Sequence, residues 1–356
     1  MDVVLLSPCR QPLPEKDVPT QTSEPFTVLI LVFPHFNLAA TTAFIDPLRA
    51  ANYLCGQSRF HWEVASVNGG GVVASNGLAI DTQPLAAVQA STWSLVVVSS
   101  SWAPEANYSA SLQTALRGWA RAGSMLGALD TGVFLLAQAG LLKGRRATGH
   151  YEHIDALREL YPEVTTVEDL FVFDEKRITC CGGAASTDFA LHLVRNLHGD
   201  TLANESARYI FHQSLRPVGT QQNPEAPQPL GNTVPDLVRQ AIRIMEENLE
   251  EAVRIPDLCE RIGISQRQLD RLFHEVVRKS PALYYRDIRL DRARGLVTQT
   301  DMSLMDIAIA SGFANQSHFS RIYRERFGLT PRRDRLEGRI PFDYRAWPMH
   351  QIPKAP

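Results

Sequence analysis

The sequence lacks the features of a secreted or membrane-bound protein. Its longest apolar runs, such as Val28 to Phe33, are far shorter than the roughly 18 to 20 residues that a helix needs to cross a bilayer. The first 25 residues have neither the basic start nor the long apolar core of a signal peptide. The five cysteines are odd in number and show no CxxC spacing, which argues against a disulfide framework. We therefore expect a reduced cytoplasmic protein that begins with a flexible extension, 1–25.

A strong net charge is also missing, but the charges are unevenly distributed. The 356 residues carry 36 Lys and Arg against 38 Asp and Glu, a net charge of −2. Between Glu251 and Arg335 basic residues outnumber acidic residues by 16 to 11, which leaves a net charge of −7 on the rest of the chain. A basic C-terminal part favours a polyanion as its partner.

The first two hundred residues alternate strand-like and helix-like segments. Helical patterns at Leu38–Tyr53, Ser109–Arg121 and Ala184–Leu197 separate short apolar segments. This alternation predicts an α/β domain with a mostly parallel sheet that is covered on both faces. A segment rich in Pro, Gln and Gly follows it and predicts a linker, 214–234. The predicted strands are Phe26–Phe33, His61–Val67, Ser94–Ser100, Ser124–Leu129 and Arg177–Gly183.

The segment after the linker contains an internal repeat at an offset of 50 residues. Ser265–Val276 and Asn315–Arg326 each begin with a capping residue and place apolar residues at i, i+3 and i+4. A short helical segment and a glycine turn precede each copy, and before the second copy Ser303 and Asp306 match the capping-box pattern. The repeat predicts an all-α C-terminal domain, 235–335, with two helix-turn-helix units. A connecting helix is expected at Pro281–Val297, and a tail follows at 336–356.

The run from Ile255 to Pro331, which includes IASGFANQSHFSRIYRERFGLTP, resembles the DNA-binding domain of the AraC/XylS family of bacterial transcription regulators. The resemblance implies that the second helix of each unit enters the major groove of a double-stranded operator. A helical bundle unrelated to DNA is the alternative. The predicted DNA contacts are Arg267, Gln268 and Arg271 in the first unit, and Gln316, Ser317, His318 and Arg321 in the second.

One polar residue, Asp130, interrupts the apolar stretch SMLGALDTGVFLLAQAG. A strand pattern ends just before it, and a helix pattern follows from Thr131 to Ala139. A sharp strand-to-helix turn of this kind displays a side chain at the carboxyl edge of a sheet, where α/β domains bind ligands. Asp130 is therefore either a ligand-binding carboxylate or a helix N-cap.

The segments ALDTGVFLLAQAGLLKGRRATGHYEH and ITCCGGAASTDFALHLVRNLHG resemble the DJ-1/PfpI class of the glutamine-amidotransferase-like fold, a flavodoxin-like sandwich that would span 26–213. The chain as a whole resembles GlxA-type regulators. In enzymes of the DJ-1/PfpI class the turn carries a cysteine, with an acidic residue and a histidine nearby. Those positions correspond to Asp130, Asp46 and His150, so the resemblance implies no catalytic residue. We expect no metal and no cofactor.

Two carboxylates at one pocket would favour a cationic ligand, because an unpaired buried charge is costly. Aromatic residues at its mouth, such as Trp102, would add a cation-π attraction. The predicted effector is a small amine, quaternary ammonium compound or basic amino acid, bound by Asp46, Trp102, Asp130, Thr131 and His150.

The hypothesis from the sequence is a transcription regulator that acts as a homodimer and, by family habit, as an activator that contacts RNA polymerase. Two alternatives are open. One is a DNA-binding protein that retains hydrolase or glyoxalase activity, and the other is an α/β domain that serves only as a dimerisation scaffold.

Overall fold

The computed structural model describes residues 24–102, 104–222 and 235–338. Most of the predicted N-terminal extension, of the predicted linker and of the predicted tail lies outside the described residues. None of the helices in the described part of the chain is long and apolar enough to cross a membrane.

An eight-stranded sheet forms the centre of the N-terminal domain, in the order β3-β4-β2-β1-β5-β6-β10-β9, and β7 pairs separately with β8. The six inner strands form five parallel pairs, whereas the β3–β4 and β9–β10 pairs at the two edges are antiparallel. The predicted, mostly parallel sheet is confirmed. The strands are β1 Phe26–Val32, β2 Phe60–Ser66, β3 Asn68–Val73, β4 Ala79–Pro84, β5 Leu95–Ser100, β6 Met125–Asp130, β7 Arg146–Ala147, β8 Thr165–Thr166, β9 Phe171–Asp174 and β10 Arg177–Cys180.

Helices cover both faces of this sheet. Successive residues of β1 point to opposite faces, so Leu29 and Leu31 pack in one core and Val28 and Ile30 in the other. Burial on both faces explains why the central strands are uniformly apolar. The helices are α1 Leu38–Cys55, α2 Leu85–Val88, α3 Ala110–Ala122, α4 Gly132–Gln138, α5 Ile154–Leu160, α6 Ala185–His198 and α7 Asp200–Tyr209, with 3₁₀ turns at Pro104–Asn107 and Tyr151–His153.

The C-terminal domain is helical throughout its described residues, as the sequence predicts. The glycines that end the first helix of each predicted unit, Gly263 and Gly312, have positive φ angles of 73°. The connecting helix is present and buries Leu290, Ala293 and Val297 along one face. The helices are α8 Asp236–Glu247, α9 Ile255–Ile262, α10 Gln266–Val277, α11 Pro281–Gln299, α12 Leu304–Ala310, α13 Gln316–Phe327 and α14 Pro331–Gly338.

The first part of the predicted linker is attached to the α/β domain. The Leu170 amide donates to the Thr220 carbonyl over 2.7 Å, and the Gln222 amide donates to the Glu168 carbonyl over 2.8 Å. Backbone hydrogen bonds of this kind hold residues up to 222 against the sheet domain, which composition alone did not indicate.

The two domains meet where α5 packs against α11. Arg292 Nη2 lies 2.7 Å from Glu159 Oε1, and both side chains are largely buried, with 14% and 24% of their surface exposed. Leu157 of α5 and Leu296 of α11 belong to the same buried cluster. The helix that connects the two helix-turn-helix units is thus in direct contact with the α/β domain.

Candidate functional site

The turn between β6 and α4 contains a residue with a left-handed backbone conformation, and it brings the start of α4 close to the backbone of β5. Asp130 has a φ of 59°, a conformation that costs energy in residues other than glycine. A Cβ on Gly132 would lie only 2.1 Å from the Val98 carbonyl oxygen, so only glycine fits there. Thr131 is fully buried, and its Oγ1 donates to the Ser101 carbonyl over 2.6 Å. The turn is therefore rigidly held against the end of β5.

The Asp130 carboxylate is buried, with 3% of the residue exposed. Asn37 Nδ2 donates to its Oδ2 over 3.0 Å, and the Ser101 side chain also hydrogen-bonds to it. Burial raises the pKa of Asp130, while the charge of His150 and the hydrogen bond from Asn37 partly oppose this rise. The N-cap residue of α4 is Thr131, and the Asp130 carboxylate accepts a hydrogen bond from the Thr131 amide, so Asp130 contacts the start of the helix without being its N-cap residue.

His150 lies beside this carboxylate and begins the 3₁₀ turn Tyr151–His153. Its Nδ1 accepts a long hydrogen bond of 3.4 Å from the Glu152 amide, and its ring lies 4.6 Å from the ring of Tyr151. The next histidine, His153, is half-buried with a buried Nδ1, and the burial of its imidazole together with the nearby charge of His150 lowers the pKa of His153 to about 3. His153 is therefore neutral at physiological pH.

The structure brings together Asp130, Thr131 and His150 but not Asp46. Asp46 lies on α1 with its side chain about half exposed, and Arg49 Nε donates to it over 2.7 Å. It lines a surface cavity of about 580 Å³ together with Thr187 and His212. Trp102 is half-buried and follows Ser101, the residue that contacts Asp130.

Two polar groups at the turn were missed from the sequence. Asn37 caps α1 by accepting from the Ala40 amide and uses its side-chain NH₂ for Asp130. The capping role is readable from an Asn in front of a helical pattern, but the contact across 93 positions is not. Ser101 lies in a loop with no distinctive pattern.

The two predicted recognition helices, α10 and α13, begin as their sequences predict. Ser265 Oγ accepts from the Gln268 amide at 3.3 Å, and Asn315 Oδ1 accepts from the Ser317 and His318 amides at 2.8 and 3.0 Å. One face of each helix is buried in its own unit. The buried residues are Leu269 and Phe273 in α10, and Phe319, Ile322 and Tyr323 in α13.

The seven predicted DNA contacts are all exposed on α10 and α13. Arg321 lies 2.8 Å from Glu325 and 3.1 Å from His318 Nδ1, and Arg271 lies 3.9 Å from Glu275. These exposed ion pairs are weak, so a phosphate or a base edge can replace the carboxylates at little cost.

A contact that the sequence did not predict joins the two units. Arg289 of α11 donates through Nε to the Ser311 carbonyl over 3.0 Å, and its guanidinium stacks on Phe313 at 4.2 Å. The neighbouring Gly312 leaves so little space that a Cβ there would lie 2.5 Å from the Leu249 carbonyl oxygen, in the loop after α8. The turn of the second unit is thus packed against the first unit, which limits the relative movement of α10 and α13.

Two separate parts of the chain match known protein families. Residues 26–196 match the DJ-1/PfpI family, and residues 258–336 match a helix-turn-helix domain family. The chain belongs to the AraC-type transcription regulators that carry an N-terminal DJ-1/PfpI domain. It is therefore a DNA-binding transcription regulator.

Named relatives cover nearly the whole chain. The HTH-type transcriptional regulator CdhR of Pseudomonas aeruginosa is 38% identical over 314 residues, which are 86% of this chain and 90% of CdhR. GlxA of Rhizobium meliloti, also named an HTH-type transcriptional regulator, is 31% identical over 301 residues, 85% of this chain and 93% of GlxA. The crystal structure of an AraC family transcriptional regulator from Pseudomonas putida is 28% identical, with a TM-score of 0.47, over 52% of this chain and 100% of that one.

Proposed function

We propose that a small cationic effector binds at the turn around Asp130 and controls DNA binding by the C-terminal domain. The observation that carries the proposal is a buried carboxylate on a left-handed residue at the carboxyl edge of a parallel sheet. Strained backbone at a buried charge is typical of binding sites.

A cation suits this carboxylate because it would remove the cost of burying the charge. Since Asp130 is almost fully buried, the effector must take over contacts that Asn37 and Ser101 make with it. Asp46 does not add a second charge here, because its side chain points to Arg49. Trp102 and Tyr151 remain the candidate aromatic partners of an ammonium group.

The structure supports a route from this site to the DNA-binding domain. His150 begins the turn that leads directly into α5, and α5 contacts α11 through the Glu159–Arg292 ion pair. A ligand that shifts His150 would change the surface on which α11 packs. Because α11 joins both helix-turn-helix units, this change would reach both recognition helices.

Replacing Asp130 by asparagine tests the effector site. We expect Asp130→Asn to weaken binding of a cationic probe by tenfold or more, about 1.5 to 3 kcal/mol for a charge-assisted contact. Isothermal titration calorimetry with L-arginine and trimethylglycine measures this change. The affinity of the unmodified protein should also fall as pH is lowered, because the raised pKa of Asp130 makes its carboxylate accept a proton early.

Asp46→Asn is the matched control, since it removes the same charge from an exposed ion pair on α1. We expect it to leave the affinity within about twofold, as exposed pairs contribute little. Tight binding of a neutral or anionic metabolite that Asp130→Asn leaves unchanged would contradict the cationic effector.

The DNA contacts are tested by Arg267→Ala. Arg267 is exposed near the start of α10, where recognition helices contact bases, so we expect a loss of about 1 to 3 kcal/mol on the operator and relaxed sequence preference. Fluorescence anisotropy with operator and scrambled duplexes at fixed salt measures both. Arg121→Ala, in α3 of the other domain, controls for the lost positive charge. Unchanged selectivity would remove Arg267 from the interface.

Regulation without catalysis is the favoured use of the α/β domain. Cys180 is the last residue of β10 and is fully buried. Burial raises the pKa of its thiol well above the ordinary range. A protonated buried thiol is a poor nucleophile. Activation through RNA polymerase and assembly as a homodimer remain predictions from the resemblance.

A further inference from the structure

We propose that His150, Glu152 and His153 form a binding site for a divalent transition-metal ion, a site beyond the effector function proposed above. The three side chains can each place one ligand atom within 4.8 Å of the other two. Two imidazoles and one carboxylate form a donor set that zinc sites commonly use. The sequence did not predict this site, because a histidine after the β7 strand was interpreted only as an effector contact.

The local backbone explains why these residues converge. Tyr151–His153 is a 3₁₀ turn, and His150 is its N-cap residue. His150 has an extended backbone with a ψ of 137°, and the turn that follows it brings His153 back beside it. Their ring centroids are 6.0 Å apart, and Glu152 Oε2 lies 3.9 Å from His150 Nδ1. Small rotations of the side chains would place each donor atom roughly 2.0 to 2.2 Å from a shared zinc ion, the distance that zinc requires.

The second observation is a missing hydrogen bond on His153. Its Nδ1 is buried and has no hydrogen-bond partner among the described residues. A buried polar atom without a partner costs about 1 to 3 kcal/mol, so its presence calls for an explanation. A metal ion beside the imidazole would supply the partner.

The remaining donors are free to take part. Glu152 is exposed and carries the negative charge that a divalent ion needs. The hydrogen bond that His150 Nδ1 accepts is 3.4 Å long, so little is lost when this ring turns toward an ion. Nitrogen donors favour zinc and its neighbours over magnesium and calcium, which prefer oxygen.

The position of the site gives it a structural consequence. The Glu152 carbonyl oxygen lies 3.8 Å from the position that a Cβ on Gly295 of α11 would take. His153 also packs edge-on against Phe134 of α4, at 6.2 Å between ring centroids. A bound ion would therefore fix the short turn that lies between α4 and α11.

Titration of the full chain with Zn²⁺, after removal of metal with a chelator, tests the site in the absence of any effector. We expect one ion per chain by calorimetry, and a Co²⁺ derivative whose spectrum lacks a thiolate charge-transfer band. Glu152→Gln keeps the shape of an exposed side chain and should weaken Zn²⁺ binding by about tenfold or more. His153→Gln should do the same, with circular dichroism as the check of its fold.

The pair His61 and Glu63 is the matched control, because it has the same residue types two positions apart and its side chains lie 3.5 Å from each other. His61→Gln should leave the affinity for Zn²⁺ unchanged. The proposal is overturned if the wild-type chain binds no Zn²⁺ at one equivalent, if Glu152→Gln binds it as tightly as wild type, or if a cysteine supplies the ligand. Since no effector or DNA is present, none of these outcomes bears on the proposed effector site.

Discussion

Replacing Gly132 by alanine should destabilise the α/β domain more than the same replacement at any other described glycine of that domain. The new Cβ would lie 2.1 Å from the Val98 carbonyl oxygen, and no side-chain rotation can separate them, because the oxygen is a backbone atom and the backbone fixes the position of the Cβ. Either β5 or the turn at Asp130 must move, at the centre of a sheet packed on both faces. We expect the free energy of unfolding to fall by about 4 kcal/mol or more, the severe end of the range for point mutants. Urea unfolding followed by near-ultraviolet circular dichroism measures the loss.

Gly118→Ala is the control for the added methyl group. Gly118 lies within α3, and a Cβ there would meet no atom within 4 Å. Alanine is the better helix former, so we expect a stabilisation of about 0.5 to 1 kcal/mol. A Gly132→Ala protein that unfolds at the wild-type urea concentration would show that the turn yields more easily than its contacts indicate.

Replacing Asp188 by asparagine should release the segment that leads out of the α/β domain. Asp188 is fully buried at the start of α6 and accepts hydrogen bonds of 2.7 and 2.8 Å from the Arg216 amide and Nε. His212 Nε2 lies 2.9 Å from the same carboxylate. Removing the charge weakens the hydrogen bonds from Arg216 and His212, and because 39% of the Arg216 side chain is exposed, water can solvate part of the remaining charge, so the cost is about 1 to 3 kcal/mol. We expect that loss in stability, and faster chymotryptic cleavage after Leu215.

The effect of Asp188→Asn should depend on pH. Burial raises the pKa of Asp188, but the hydrogen bonds from Arg216 and His212 outweigh it, so the folded-state pKa lies below the ordinary value. A lowered pKa contributes stability that is present above the unfolded-state pKa of about 3.9 and is lost as pH falls through the folded-state pKa. The difference in the free energy of unfolding between wild type and variant should therefore be largest at pH 7 and should decrease below about pH 4.

Asp155→Asn removes a carboxylate from a more exposed pair, with Arg158 at 3.2 Å, and is the control. A pair of this kind contributes at most about 1 kcal/mol. Equal losses in the two variants at pH 7 would refute the special role of Asp188.

The sequence predicted the buried strands better than the exposed ones. β1, β5 and β6 are apolar because both faces are covered, and all three were found within a residue or two of their ends. The edge strand β3 and its neighbour β4 were missed, since NGGGVV and AIDTQP are glycine-rich or polar and largely exposed. Strands at a sheet edge need no apolar pattern, and their pairing is decided by a hairpin that hydropathy does not reveal.

The candidate sites show the same limit. The exposed faces of α10 and α13 follow from helical periodicity, and all seven predicted residues lie on them. The surroundings of Asp130 depend on which distant loops meet at the end of the sheet. The family pattern suggested Asp46 as the neighbour of Asp130. The residue that contacts Asp130 is instead Asn37, the N-cap residue of the helix that contains Asp46. Periodicity in the sequence shows which face of a single helix is exposed, whereas contacts between distant loops depend on the whole fold.

The packing of α11 on α5 has a thermodynamic consequence for how the protein responds in the presence of its operator. If a ligand at the turn changes this contact, and DNA favours one arrangement of the helices joined by α11, then the two binding equilibria share one free energy. Linkage requires the operator to change the affinity for the ligand by the same factor by which the ligand changes the affinity for the operator. The sensitivity of the sensor is then a property of the protein on its promoter, and differs from that of the same protein free in solution.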